Sequence, residues 1–337
     1  MADGQARNVA QAPSAPDVRT APGSVGVAMS HVGLTGMDAV VHLGVGRRSE
    51  QPLPARIECF AEPDPARQAA GLPPFEDVVG DALHDALARR AAVRAERLAQ
   101  EIAERVRERQ AARRVEVAIA ARFPERRLAP VSGVLTQELS ILHGRAAACD
   151  RGTRRVVGVS AQGITTSPHG QSVLAARARD RLAASGFSTA QIARVLDEVP
   201  VATHDQIGVG TLHLGCPEDC ALEVDAAALL AIVEGAMSSE IFELMKRNDE
   251  AAVVERAHRR PRSVEDCVRA MIAAVVDAFA DAPDAVFVSA AHDSAGTIHG
   301  HHVTAERAGL LGDLRRELRT GRPVAGMSLR QWLVADG

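Results

Sequence analysis

The 337 residues carry 39 Lys and Arg against 43 Asp and Glu, a formal net charge of −4, and only 2% are aromatic. The chain therefore has neither the basic footprint nor the base-stacking platform of a nucleic-acid binder. Hydrophobic content of 46%, with one Trp and no Tyr, fills one large domain or two ordinary ones with Ala, Val, Leu and Ile.

The five cysteines, Cys59, Cys149, Cys216, Cys220 and Cys267, are odd in number and irregular in spacing. A disulfide framework is not expected, and a reducing cytoplasm is. No basic start followed by an apolar run opens the chain, and no apolar stretch reaches bilayer length. Neither a secretory leader nor a membrane partner is expected.

Residues 1–28, rich in Ala, Pro, Gln, Gly and Ser without periodicity, predict a disordered arm. Residues 39–45 and 55–60 alternate as strands, and 63–74 form a Pro- and Gly-containing loop. One long helix is expected over 76–113, with Val78, Leu83, Leu87, Leu98 and Ile102 on one side. Its Arg/Glu pairs at i,i+4 leave it needing little core of its own. A strand over 114–120 and a strand pair over 126–144, around Pro130–Gly133, complete a first unit spanning 29–148.

Residues 145–153 mark the boundary to a second unit, 149–326, with a tail at 327–337. The second unit opens with a strand at 155–161 and helices at 168–184 and 188–198, the latter capped by Ser188. A strand at 208–214, a helix capped by Asp225, a helix over 263–279 and a buried-type strand over 284–291 follow. Each unit reads as strand pair, helices, strand pair. This is an α+β layout with helices on one face of an antiparallel sheet.

The chemistry concentrates between the two helices that begin at Asp225 and Ser263. Ser238–Glu250, running on to His258, holds five carboxylates and the adjacent basic pair Lys246 and Arg247. A charge run of this kind is ordinarily a solvated face. It competes here with an active-site reading, because histidines recur in short contexts: Ser167-Pro168-His169, Thr203-His204-Asp205-Gln206 and Ile298-His299-Gly300-His301-His302. His169, His204, Glu240 and either His299 or His301 are the residue types of a catalytic metal site, in which three His, Cys or Glu donors leave a position for water. No local motif such as H-E-x-x-H supports such a site, and a lone histidine is more often a packing or surface residue. Cys216 and Cys220 could form half a zinc site, but no second pair follows.

The block from Ser238 to Ala257 resembles the S-x-E-x(5)-K-R-x-D-E-x-x-V-x-E-R-A segment of the type IB GTP cyclohydrolases, a family that includes the archaeal enzymes of methanopterin synthesis. The resemblance spans roughly 30–325 and is strongest from about 200 to 305. Thr203-His204-Asp205-Gln206 is similar to the family's T-H-N-Q-R, and Ile298-His299-Gly300-His301 to its I-H-x-H. The resemblance implies tandem tunnelling-fold (T-fold) units that assemble into a barrel-like homo-oligomer, a homodimer or homotetramer, with active sites between subunits. It also implies a divalent metal (Zn, Fe or Mn) on His204, Glu240, His301 or His299, and His169.

Glu255 would anchor a guanine ring, since a carboxylate accepts two parallel hydrogen bonds from an N–H edge. Lys246 and Arg247 are expected at the substrate beside it. The implied reaction is hydrolytic opening of the ring of a guanine nucleotide, GTP first, at C8. His204, His299 or His301 would move protons.

Three departures bear on this. The family's C-P-C is Ser167-Pro168-His169, where Ser167 reads equally well as a helix N-cap. Its H-M-S-R is absent, with Leu72-Pro73-Pro74-Phe75 in that region. The arginine after H-N-Q is Ile207, which removes a cation from a triphosphate site. The competing reading is a T-fold protein without catalysis that binds a purine or pterin. A nitrile reductase of the same fold is set aside, because neither segment flanking the purine glutamate offers a nucleophilic Cys and the chain shows no dinucleotide fingerprint.

Overall fold

The computed structural model describes residues 29–45, 48–64, 74–88, 93–296 and 300–335. The predicted N-terminal arm, most of the 63–74 loop and His299 lie outside them.

The described strands form a single antiparallel sheet in the order β1-β2-β3-β4-β5-β6-β8-β9, with β7 on a free stretch of β5. The long strands are β1 (Val32–Val45), β2 (Arg48–Glu62), β3 (Arg114–Leu128), β4 (Leu135–Cys149), β5 (Gly152–Thr166), β6 (Asp205–Cys216), β8 (Phe287–Ala295) and β9 (His302–Leu310); β7 is Ser239–Glu240. Their period-2 patterns set the faces. In β3, Val115, Val117, Ile119, Ala121 and Phe123 are buried, and the residues between them are more open.

The buried face is covered by α1 (Phe75–Ala88), α2 (Ala95–Arg109), α5 (Ala226–Ala236) and α7 (Val264–Ala278). One apolar cluster runs beneath them from Val41 in β1 to Ala290 in β8. The 148/149 boundary falls at the β4–β5 turn, where Cys149 pairs with Gly152 and the sheet continues across. On the opposite face a smaller cluster gathers Val156, Phe287, Ala308 and Trp332. Trp332 lies on α9 (Leu329–Val334), inside the predicted tail, and stacks on Phe287 with ring centroids 5.1 Å apart.

The single helix expected over 76–113 is two helices. Between them Val93 leaves the helical path and bridges Leu43 of β1. Its N–H donates to the His42 carbonyl at 3.3 Å, and its own carbonyl accepts from Gly44 N–H at 3.2 Å. Nor is α2 a helix with little core. Leu98, Ile102 and Val106, at i, i+4 and i+8, are buried with Ala95, Ala99 and Ala103 between them. The helix presses directly on β4 at Gly144, where a Cβ would lie 2.3 Å from the Ala95 carbonyl.

The remaining helices are α3 (Pro168–Ala184), α4 (Thr189–Glu198), α6 (Arg247–Arg259) and α8 (Leu311–Thr320). The charged stretch lies between α5 and α7, as expected. It is itself helical from Arg247 onward, with Val253, Ala257 and His258 turned inward.

Candidate active site at one end of the sheet

The site-bearing segments converge because of where strand pairing stops. Strand β4 follows β5 only as far as Ile141–Ser160. Beyond that point β7 takes the vacated edge, pairing Glu240 with Gly163 and Ser239 with Ile164. On the other edge β6 pairs to the end of β5, Asp205 opposite Thr166. Strands β8 and β9 continue the same end, with Ser294 opposite Gly208 and His302 opposite Ala295. Ser167–His169, Thr203–Gln206, Glu240 and the start of β9 therefore share one end of the sheet.

Of the two readings of Ser167, the structure shows the cap: its Oγ accepts from Gly170 N–H at 3.1 Å and opens α3. His169 sits in the first turn of α3 and is exposed. His204 is half-buried in the segment leading into β6. Glu240 is half-buried, and its Oε2 receives Arg256 Nη1 at 2.7 Å. Glu255, on the exposed side of α6, pairs with Arg259 at 2.8 Å, and that guanidinium also donates to the carbonyls of Asp197 and Glu198 at the end of α4. Lys246 and Arg247 are exposed at the start of α6. His301 is exposed in the turn before β9, and its carbonyl accepts from Gly296 N–H at 3.3 Å. His302, which begins β9, pairs with Asp293 at 2.7 Å.

Among the described residues no group of three or more His, Cys, Asp or Glu is arranged to hold a metal ion. The reason is geometric. His204 precedes β6 on one edge of β5, Glu240 lies on β7 along the other, and the carboxylate of Glu240 is already engaged by Arg256. His and Glu donors suit a zinc or iron site chemically, but within one chain the described side chains do not assemble one.

Several residues that organise this end were not singled out by sequence. Asp249 is fully buried. Its carboxylate accepts from the N–H of Val131, Ser132 and Lys246 at 2.7–2.8 Å and from the Ser132 hydroxyl at 2.6 Å. Burial alone would raise its pKa, but these donors hold it far below the usual carboxylate range. It ties the first turn of α6 to the β3–β4 hairpin. The available signal was an acid three residues after Lys246, the N3 position of a capping box.

Beside it, the Glu138 carboxylate accepts Glu243 N–H at 2.8 Å and the Thr136 hydroxyl at 2.9 Å. Arg127 joins Glu125 to Glu234 and lies over the Phe242 ring. Thr165, Ser294 and Gln206 form a buried hydroxyl–amide chain across β5, β8 and β6, with contacts of 3.2 and 2.8 Å.

Two further sets of histidines are packed rather than exposed. His292 is 1% exposed and has no hydrogen-bond partner on either ring nitrogen among the described residues. Burial pushes its pKa down to about 4 against the opposite pull of Asp293. His143 donates to or accepts from Ser160 Oγ at 2.8 Å, and burial with the nearby Arg145 charge lowers it to about 4. The His213 ring lies 5.2 Å from that of His143, and burial pushes its pKa well down too.

The family model described as type I GTP cyclohydrolase folE2 matches residues 15–305. The GTP cyclohydrolase MptA of Methanosarcina mazei is 31% identical over 312 residues, covering 90% of this chain and 97% of that protein. The MptA of Haloarcula marismortui is 33% identical over 303 residues, with the same coverage of each chain. Among solved structures, the uricase of Arthrobacter globiformis aligns with 86% of this chain and 96% of its own at 11% identity and a TM-score of 0.44, a distance at which nothing further follows. The matched span contains the whole sheet as far as the start of β9 together with both segments that meet at its end, and the chain belongs to the type I GTP cyclohydrolase family.

Proposed function

We propose that the protein opens the imidazole ring of a guanine nucleotide, GTP in the first instance, by hydrolysis at C8, releasing formate or stopping at the formamide. The observation that carries this reading is family membership along nearly the whole chain. The convergence of the His204 segment, Glu240 and α6 on one end of the sheet supports it. Glu255 takes the purine N–H edge, and Lys246 and Arg247 at the start of α6 meet the phosphates. His204, His299 and His301 are the candidates for moving protons.

We further propose a divalent ion (Zn, Fe or Mn), with donors drawn from His204, Glu240, His301 and His169. When bound, such an ion supplies an activated water near neutral pH. The working form is a cytoplasmic homodimer or homotetramer built from tandem T-fold units, 29–148 and 149–326, with the site between subunits. An inter-subunit site accords with donors that a single chain leaves apart.

The test is formate release from GTP, GMP and guanosine by the purified protein, alongside metal analysis of wild type and Glu240→Ala. About one metal per chain, lost in the variant, together with formate from GTP is the expected result. A metal-free wild type that binds GTP without releasing formate would replace this reading with a purine-binding protein.

A further inference from the structure

His258 ends α6 with its side chain 4% exposed. Its Nδ1 lies 2.8 Å from the Val254 carbonyl oxygen, one turn back on its own helix. Its Nε2 lies 3.1 Å from the Thr203 carbonyl and 3.4 Å from Asp205 Oδ1. Carbonyl oxygens only accept, so each contact is a hydrogen bond only if that nitrogen carries hydrogen. The ring thus lies between its own helix and the residues on either side of His204, within hydrogen-bond distance of both.

The same knot has a second strand. Gln171 Nε2 in α3 donates to the His258 carbonyl at 2.6 Å and to the Val201 carbonyl at 2.9 Å. A Cβ at Gly170 would lie 2.6 Å from Thr203 Oγ1, so the start of α3 is pressed onto Thr203. Asp205 is also reached by the Thr166 hydroxyl at 3.3 Å. Position 205 is a carboxylate here, where the segment it resembles has an amide, and its Oδ1 lies 3.4 Å from His258 Nε2.

We propose that His258 is a positioning residue that fixes His204 at the reacting end by holding Thr203 and Asp205 against α6. The inference rests on the reading of His204 as part of that end. It assigns the last turn of α6 a role separate from those of Glu255 and Glu240 on the same segment. His258 acts through the main chain of residues 203–205, as groups behind a ligand or base commonly do.

The test uses the full-length protein and His258→Phe, which keeps a ring but has no donor, with Asp205→Asn as the conservative variant that keeps an acceptor. Amide hydrogen exchange is read at 203–207 and, on the same strand, at 212–216. Steady-state formate release from GTP is measured in parallel. In His258→Phe, exchange at 203–207 should rise about tenfold while 212–216 is unchanged. The kcat should fall by about ten- to a hundredfold with KM within about twofold. Asp205→Asn should show a smaller change in the same direction.

Unchanged exchange at 203–207, an equal rise at 212–216, or a local rise with kcat intact would each overturn the proposal. If the wild type releases no formate, the proposed function fails and the exchange pattern alone decides whether His258 holds the segment. Should His258→Phe not fold, His258→Gln and Asp205→Ala carry the same comparison.

Discussion

The chain lays down its sheet in two passes, β1–β2–α1–α2–β3–β4 and then β5–β6–α5–α7–β8–β9, and the second pass carries two insertions. Helices α3 and α4 stand between β5 and β6, and β7 with α6 stands between α5 and α7. Neither has a counterpart among the described residues of the first pass. The first pass spends its helices on burial, as α2 does with Leu98, Ile102 and Val106. The insertions bury little: none of α3, Ile192 alone in α4, and four residues of α6. What they bring to the end of the sheet is polar, namely His169, Gln171, Glu240, Glu255, Arg256 and His258. The scaffold is made by repetition and the chemistry by what interrupts it, a division in which a rigid frame carries functional segments at its margin.

That division can be attacked in order of expected effect. Ile102→Ala removes a fully buried side chain from the first pass and should cost about 2–5 kcal/mol, read as a lower urea midpoint. The folded fraction should keep its guanine-nucleotide affinity, and a loss of affinity at constant fold would break the separation. Asp249→Asn attacks a buried carboxylate that ties an insertion to the first pass. It should lower formate release by about ten- to a hundredfold and loosen α6 in hydrogen exchange. Full activity would mean that the β3–β4 hairpin does not support the site.

Acid should strike the second pass harder than the outer strands of the first. His143, His213 and His292 lie on β4, β6 and β8, and their folded pKa values sit below the ordinary 6.5, at about 4 for His143 and His292. Between those values the unfolded chain binds protons that the native state refuses. Stability is therefore held above about pH 6.5 and lost as pH falls toward 4, by up to about 1.4 kcal/mol per pH unit for each such histidine. Hydrogen exchange at pH 5 against pH 7 should accelerate in β6 and β8 before β2 and β3, and a uniform change would count against the assignment. The carboxylate of Asp249 is also shifted downward, and its contribution is lost only as pH falls below its unfolded value of 3.8.

The smallest effect is expected of Arg256→Ala. Its pair with Glu240 is 43% and 33% exposed, so stability should change by less than about 1 kcal/mol. A loss of several kcal/mol in thermal unfolding would show that this insertion is part of the core.

Much of the frame was legible from residues alone. The alternation Val115, Val117, Ile119 marks β3, and the caps Ser188 and Asp225 open α4 and α5 as their side chains dictate. What stayed hidden depends on partners far along the chain. The break before α2 is made by Val93 pairing with β1, which no local Arg/Glu pattern signals. Helix α9 exists as a docking element because Trp332 reaches Phe287. The start of α6 is held by Asp249 acting on a hairpin more than a hundred residues earlier, which a local charge run does not signal. His204 and Glu240, named by type and by resemblance, lie at one end of the sheet. Their separation across β5 was not readable, since it depends on which edge of that strand each segment occupies.

The most direct measurement is formate produced from GTP by the wild-type protein and by Glu240→Gln, each at matched thermal stability. Stoichiometric formate is expected from the wild type, with a loss of about a hundredfold or more in the variant. Equal formate release by both proteins, or none from the wild type under conditions where it binds GTP, would contradict the proposal.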